Sequence, residues 1–154
     1  MTGGRHRLRH PVLLAVLAAY AAFVCFVTLS PRTPGGGMLQ RLVNDVLGAL
    51  HRRGVALWAD YLTVEFVGNV LMFVPLGILS ALVLDARHRW LLLVAGSAFS
   101  GVLELTQLLL LPGRYADWRD LVSNTIGFLL GAGAALAVRS LARRRRHPGP
   151  AGEK

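Results

Sequence analysis

A single cysteine, Cys25, occurs in the sequence, so no disulfide can form within the chain. Acidic residues are scarce as well, with 8 Asp and Glu against 17 Lys and Arg and a net charge of +9. Charge is nearly absent from four long apolar stretches. A water-soluble domain is excluded, because its helices would alternate apolar and polar faces. The basic residues flank the apolar stretches, which indicates membrane topology and not a nucleic-acid partner.

The four apolar stretches cover residues 12–29, 63–84, 90–111 and 121–138. Each can cross a hydrocarbon core about 30 Å thick at about 1.5 Å of rise per helical residue. The first stretch follows a basic segment, residues 1–11, as a signal peptide does, but it is longer than a secretory apolar region and we expect a retained span. The sequence therefore predicts an all-α integral membrane protein with four transmembrane helices.

The outer loop, residues 30–62, contains a further helical pattern over residues 38–53. Its apolar stripe comprises Leu39, Leu42, Val43, Val46, Leu47 and Leu50. Such a stripe between two spans predicts an amphipathic helix lying in the outer membrane interface. Gly54 suits the C-terminal cap of this helix.

The distribution of basic residues predicts that both termini are cytoplasmic. With the N-terminus inside, the inner segments hold 11 Lys and Arg and the outer segments hold 6. The tail, residues 139–154, contributes 6 of the inner charges, and its arginine run suits contact with anionic lipid. We expect a multi-pass protein of the cell (plasma) membrane.

Polar side chains collect near the outer ends of three spans, around the turn that follows Pro112. These ligand-pocket candidates are Glu65, Asn69, Glu104, Gln107, Arg114, Asp117, Asp120 and Asn124. Glu104 lies about 10 Å below the outer end of its span. A charged side chain at the bilayer centre costs about 2.5–3.5 kcal/mol on insertion scales, so this carboxylate needs a partner or solvent.

Two interpretations of this polar layer stay open. In the first, Glu104 pairs with Arg114 and the amides join helices by hydrogen bonds worth about 0.6–2 kcal/mol each. In the second, the layer lines a cavity open to the outer face that holds a lipid headgroup, a cation or a substrate. Four further residues point to helix packing: Pro75 should kink the second span, Gly77 allows close approach, and Gly127 with Gly131 forms a GxxxG pair.

Three motifs carry a family resemblance when taken together. They are E-x-x-x-N-V-L-x-F-V-P-L-G from Glu65 to Gly77, E-x-x-Q at Glu104 and Gln107, and R-x-x-D-x-x-D-x-x-x-N-x-x-G from Arg114 to Gly127. Over residues 63–138 the chain resembles the VanZ-like membrane family. The resemblance implies a small polytopic bacterial protein of the cell membrane. The founding member of the family is associated with resistance to the glycopeptide antibiotic teicoplanin, so the resemblance also implies a role in susceptibility to such antibiotics.

We therefore expect the chain to be a binding protein of the cell envelope that needs no cofactor. Its ligand would be a membrane lipid, a lipid-linked cell-wall precursor or an amphiphilic glycopeptide. The alternative is a metal-assisted enzyme in which Glu104, Asp117 and Asp120 hold Mg²⁺ and act on a polyprenyl phosphate. No histidine, and no serine or cysteine with an evident base, supports catalysis in the layer. A transporter is disfavoured because no internal repeat is evident. The oligomeric state stays open.

Overall fold

The computed structural model describes residues 4–30, 38–84, 86–110 and 117–146. Helices make up nearly all of these residues, and the described ranges contain no strand. The helices are α1 (Gly4–Leu29), α2 (Met38–Arg52), α3 (Tyr61–Val83), a 3-10 helix (Ala86–Leu91), α4 (Leu92–Leu110) and α5 (Trp118–Arg146). The segments long and apolar enough to cross a membrane are Pro11–Leu29, Tyr61–Val83, His88–Leu110 and Trp118–Arg143. The predicted fold class, four spanning helices and one more helix, is confirmed.

Helix α2 ends in a Schellman motif centred on Gly54. The Gly54 N–H donates to the His51 carbonyl at 2.9 Å, and the Val55 N–H donates to the Leu50 carbonyl at 3.0 Å. Gly54 has a φ of 72°, a left-handed conformation that glycine adopts without strain. Leu47 is buried whereas Leu42 and other apolar side chains of α2 remain exposed.

Helix α3 begins at a side-chain cap. The Asp60 carboxylate accepts hydrogen bonds from the Thr63 hydroxyl and the Thr63 N–H, both at 2.7 Å. The bond from the hydroxyl has the largest effect and the bond from the N–H the next largest, and together they hold the pKa of Asp60 below its usual value. The helix then continues without interruption through Pro75 to Val83. The cap therefore fixes where the span starts.

Helices α3 and α5 form the most extensive interface, and both run in the same direction. Their backbones touch at three glycines: a Cβ on Gly77 would overlap the Phe128 carbonyl, one on Gly127 the Val70 carbonyl, and one on Gly131 the Val74 carbonyl. We call Gly77, Gly127 and Gly131 the glycine seam. Only glycine permits such an approach, because any side chain would collide with backbone.

The other helices attach to this parallel pair. Helix α4 packs along α5, where Gly96 admits the Phe128 ring, since a Cβ there would come within 2.6 Å of it. Helix α1 packs mainly on α3, and the Tyr20 hydroxyl donates to the Met72 carbonyl at 2.9 Å. The buried apolar core comprises Val24, Phe73, Leu76, Ala81, Leu92, Leu103, Phe128, Ala132 and Ala135. Helices α3 and α4 touch each other little, so α1 and α5 lie between them.

Exposed tryptophans mark both ends of the bundle. Trp58 and Trp118 lie at what we call the hairpin end, where α1 and α4 finish and α3 and α5 begin. Trp90 lies at the opposite end, just before α4. Tryptophan is enriched at both membrane–water interfaces, so these residues fit a bundle that spans a bilayer. The apolar side chains exposed between them suit contact with lipid.

Candidate polar site at the hairpin end

Two side-chain hydrogen bonds determine how α4 and α5 pair. Asn124 Nδ2 donates to Ser100 Oγ at 2.9 Å, and Thr125 Oγ1 donates to Ser97 Oγ at 3.2 Å. Residue numbers rise along one helix as they fall along the other, so the helices are antiparallel. Ser100 is fully buried and Asn124 is only 3% exposed, so this pairing lies inside the bundle.

The same register brings two carboxylates to one level. Glu104 lies one turn beyond Ser100 on α4, and Asp120 lies one turn before Asn124 on α5, each about 6 Å closer to the hairpin end. Glu104 is 9% exposed, which is unusual for a carboxylate. Arg114, the partner predicted for Glu104, lies outside the described residues. The structure therefore places Glu104 beside the start of α5.

Asp120 connects this level to α3. Its Oδ1 accepts a hydrogen bond from Asn69 Nδ2 at 2.7 Å. Glu65 lies four residues before Asn69 on α3 and is half-buried. A residue and its fourth neighbour share a helix face, so Glu65 lies one turn nearer the hairpin end than Asn69. Three helices thus contribute polar side chains at this end of the bundle.

Gln107 joins a different pair of helices. Its Nε2 donates to the Thr28 carbonyl at 2.8 Å, near the end of α1, and the side chain is 4% exposed. The Thr28 hydroxyl donates in turn to the Val24 carbonyl at 2.7 Å. Gln107 therefore attaches the hairpin end of α1 to α4.

Asp117 acts at the start of α5. Its Oδ1 accepts the Arg119 N–H at 2.9 Å, and its carbonyl accepts the Asp120 N–H at 2.9 Å. A carboxylate in this position satisfies N–H groups that have no partner within the helix and complements the positive end of the helix dipole. Among the described residues, no three His, Cys, Asp or Glu side chains gather where they could hold a metal ion. Glu104, Asp117 and Asp120 do not form such a group.

One buried acceptor in the site lacks a donor. Asn124 Nδ2 donates to Ser100 Oγ, but Asn124 Oδ1 accepts no hydrogen bond from any part of the chain that the structure describes. Leaving a buried polar group unsatisfied costs about 1–3 kcal/mol. Such an orphan in a polar cluster calls for an explanation, and an unseen ligand or water is one of the common ones.

The sequence did not predict the hydrogen-bond partners of three polar residues that the structure shows bonded within the bundle. The Ser123 hydroxyl donates to the Asp120 carbonyl at 3.1 Å and is fully buried. Tyr20 is one of two hydroxyl side chains in the apolar stretch 12–29, and this polar group within a span was a signal that it needs a partner. From the sequence, Arg139 counts only among the basic residues that indicate topology. In the structure, its guanidinium donates to two carbonyls in the last turn of α3 at 2.6 and 2.8 Å.

In comparison with known proteins, the family model described as VanZ/LLP1 matches residues 16–139. The match covers most or all of each of the four apolar helices and includes the polar site. No curated protein matches the chain. No solved structure matches it either.

Proposed function

The chain belongs to the VanZ/LLP1 family and is a membrane protein, and from this premise we propose that it binds the headgroup of a membrane amphiphile at the hairpin end. The protein acts by binding and not by catalysis. It lies in the cell membrane with this end toward the outside. The ligand is a lipid-linked cell-wall precursor or an amphiphilic glycopeptide, and binding lowers susceptibility to teicoplanin-type antibiotics.

The observation that carries the proposal is the convergence of buried polar side chains from three spanning helices. Asn69, Glu104, Gln107 and Asn124 are all partly or fully buried in the bundle, together with the hydroxyls of Ser100 and Ser123. Polar residues within spans are costly and mark functional positions by default. Hydrogen bonds between helices account for the Asn69 and Gln107 amides, but not for Asn124 Oδ1.

The position of the site fits a headgroup. Asn124 follows the exposed Trp118 by six residues, which is about 9 Å along the helix. A tryptophan at the interface puts the polar side chains at and just below the depth of lipid headgroups. An amphiphile could keep its tail in the bilayer while its polar group enters among α3, α4 and α5.

The metal-assisted enzyme is supported less well. It requires carboxylates that converge on one point, and the described residues contain no such group. The segment that the structure leaves undescribed between α4 and α5, residues 111–116, contains no His, Cys, Asp or Glu that could complete one.

Antibiotic susceptibility of a glycopeptide-sensitive bacterial host tests the proposal. Expression of the parent chain should raise the inhibitory concentration of teicoplanin severalfold. Glu104→Gln should abolish this rise while membrane abundance, measured by immunoblot, stays near that of the parent. Thr125→Val is the matched control, because it removes an interhelical hydrogen bond one step deeper without changing the candidate pocket.

A purely structural role for Glu104 gives a different pattern. Glu104→Gln would then lower abundance by leaving Arg114 unpaired, and the double variant Glu104→Gln, Arg114→Gln would restore both abundance and phenotype. That recovery would refute the proposal. A parent chain that is abundant in the membrane yet leaves susceptibility unchanged would refute the antibiotic part of it.

A further inference from the structure

The end of the bundle opposite the hairpin end carries a large excess of positive charge. Helix α1 begins there, α3 and α5 finish there, and the 3-10 helix leads from there into α4. The segments at this end contain one carboxylate, Asp85, and ten arginines: Arg5, Arg7, Arg9, Arg87, Arg89, Arg139, Arg143, Arg144, Arg145 and Arg146. In the tail beyond α5, Glu153 and Lys154 cancel each other. If Asp85 pairs with one of the ten arginines, nine positive charges still remain in excess.

One arginine at this end has a buried donor without an acceptor. Arg89 and Arg139 are half-buried, whereas Arg143 is exposed. The Arg139 guanidinium is already engaged, because it donates to the carbonyls of Ala81 and Leu82 at 2.6 and 2.8 Å. Arg89 Nε is buried and donates to no residue that the structure describes. An unsatisfied buried donor is costly, and more so on a charged group, so Arg89 calls for an acceptor.

The surroundings of Arg89 place it where protein, lipid headgroups and acyl chains meet. Leu92, three residues later, is 2% exposed and packs in the core. Residues three apart in a 3-10 helix lie on the same side, so Arg89 is on the side that faces the bundle. Trp90 and Leu93 are 62% and 70% exposed and follow Arg89 within about one turn. Exposed tryptophan is typical of the headgroup region, and exposed leucine in a span suits contact with acyl chains.

The charge and the apolar surface together select one kind of occupant. We propose that this end of the bundle binds an anionic phospholipid, whose phosphate accepts hydrogen bonds from the Arg89 guanidinium and whose acyl chains lie along Leu93. The planar fork of a guanidinium matches a phosphate, which can accept from two of its N–H groups at once. A nucleic acid or an acidic protein would supply the negative charge but would not cover Trp90 and Leu93 within the bilayer. The inference concerns the end away from the polar site and does not depend on the proposed function.

Arg89 should differ from the other arginines in how its attraction responds to salt. Exposed basic residues attract an anionic membrane surface diffusely, and this attraction falls off within a screening length. A partly buried pair is screened much less. A fixed site at Arg89 therefore predicts a preference for anionic lipid that persists at high ionic strength, where the contribution of the arginine run in α5 is lost.

Quenching of tryptophan fluorescence by brominated lipids measures this preference at each end of the bundle. The chain has three tryptophans. Trp58→Phe with Trp118→Phe leaves Trp90 as the reporter of the proposed site, and Trp58→Phe with Trp90→Phe leaves Trp118 as the control. Each full-length variant is reconstituted in mixed bilayers of phosphatidylcholine and phosphatidylglycerol, with one or the other lipid brominated. The medium contains about 1 M sodium chloride, in which the screening length is about 3 Å.

We expect Trp90 to report a preference for phosphatidylglycerol over phosphatidylcholine of at least about tenfold, and Trp118 to report none. In the Trp90 reporter, Arg89→Gln should remove the preference. Arg143→Gln, which changes an exposed arginine at the same end, should leave it unchanged. If Arg89→Gln proves unstable, the difference between the two reporters still decides the question.

Four outcomes would overturn the site. They are equal lipid preference at Trp90 and Trp118, no preference at Trp90, a preference that Arg89→Gln retains, and a preference that Arg143→Gln reduces as much as Arg89→Gln does. Replacing sodium chloride by sodium phosphate at equal ionic strength separates a lipid from a free anion. The preference should survive this replacement, and its loss would assign Arg89 to free phosphate and overturn the lipid.

Discussion

The glycine seam offers the sharpest test of the fold. In Gly131→Ala, the new Cβ would overlap the Val74 carbonyl oxygen and lie 2.8 Å from the Val74 carbonyl carbon and 3.1 Å from the Ile78 nitrogen. Ordinary Cβ contacts begin at 3.4 Å. The obstructing atoms belong to the backbone of α3, so they cannot rotate away as a side chain would. Helices α3 and α5 must separate to admit the methyl group.

The expected cost follows from two opposing effects. Overpacking a close-packed site costs typically about 1–3 kcal/mol, and backbone obstruction places this one at about 3 kcal/mol. Alanine favours the helix over glycine by about 1 kcal/mol, which offsets part of that cost. The net loss is about 2 kcal/mol, or about a 30-fold fall in the ratio of folded to unfolded protein.

Gly133→Ala is the matched control on the same helix. A Cβ at Gly133 would meet no described atom within 4 Å, so only the gain in helix preference should remain. Unfolding in mixed micelles of increasing SDS fraction, followed by tryptophan fluorescence, gives both free energies. The two variants should differ by about 3 kcal/mol. Equal stability of Gly131→Ala and Gly133→Ala would refute the close approach of the two backbones.

Two further predictions concern the opposite end of the bundle and its orientation. Arg139→Gln should lose about 1–3 kcal/mol of unfolding free energy, because the shorter side chain cannot donate to both carbonyls of α3. The control Arg143→Gln changes an exposed residue, so its unfolding free energy in the same SDS titration should stay close to that of the parent. The orientation can be tested with single cysteines in a Cys25→Ala background. A membrane-impermeant thiol reagent applied to intact cells should label Arg53→Cys and not Arg143→Cys, because the basic termini stay inside. The reverse pattern would place the polar site on the cytoplasmic side.

The spanning helices could be predicted from the sequence because the membrane itself sets their length and composition. An apolar stretch of 18 to 22 residues with at most one charge has few alternatives, since its backbone polar groups must be satisfied internally. The Schellman motif at Gly54 could be anticipated for a local reason, because glycine alone enters the left-handed conformation without strain. Both predictions depend on short stretches of chain.

The partners of the polar side chains could not be predicted, because they depend on how far one helix is shifted along another. Counting along α4 puts Glu104 about 10 Å below the outer end of its span. Pairing with α5 instead puts it level with Asp120, two residues after that helix begins. Helix α4 therefore extends toward the hairpin beyond the start of α5. Nothing in either segment alone encodes this offset, which is fixed by Ser100 with Asn124 and by Gly96 with Phe128.

The polar site and the glycine seam share one face of α5, and this explains how a small bundle can hold polar groups in register. Asp120, Asn124, Gly127 and Gly131 follow one another at spacings of three or four residues, which keeps them on one side of the helix. The two glycines fix the distance to α3, and that distance lets Asn69 reach Asp120 at 2.7 Å. A methyl group at Gly127 should therefore disturb ligand binding as well as stability, although this glycine contributes no polar atom to the site. The seam positions the site, because tight backbone contact one turn away leaves the polar side chains little freedom to separate.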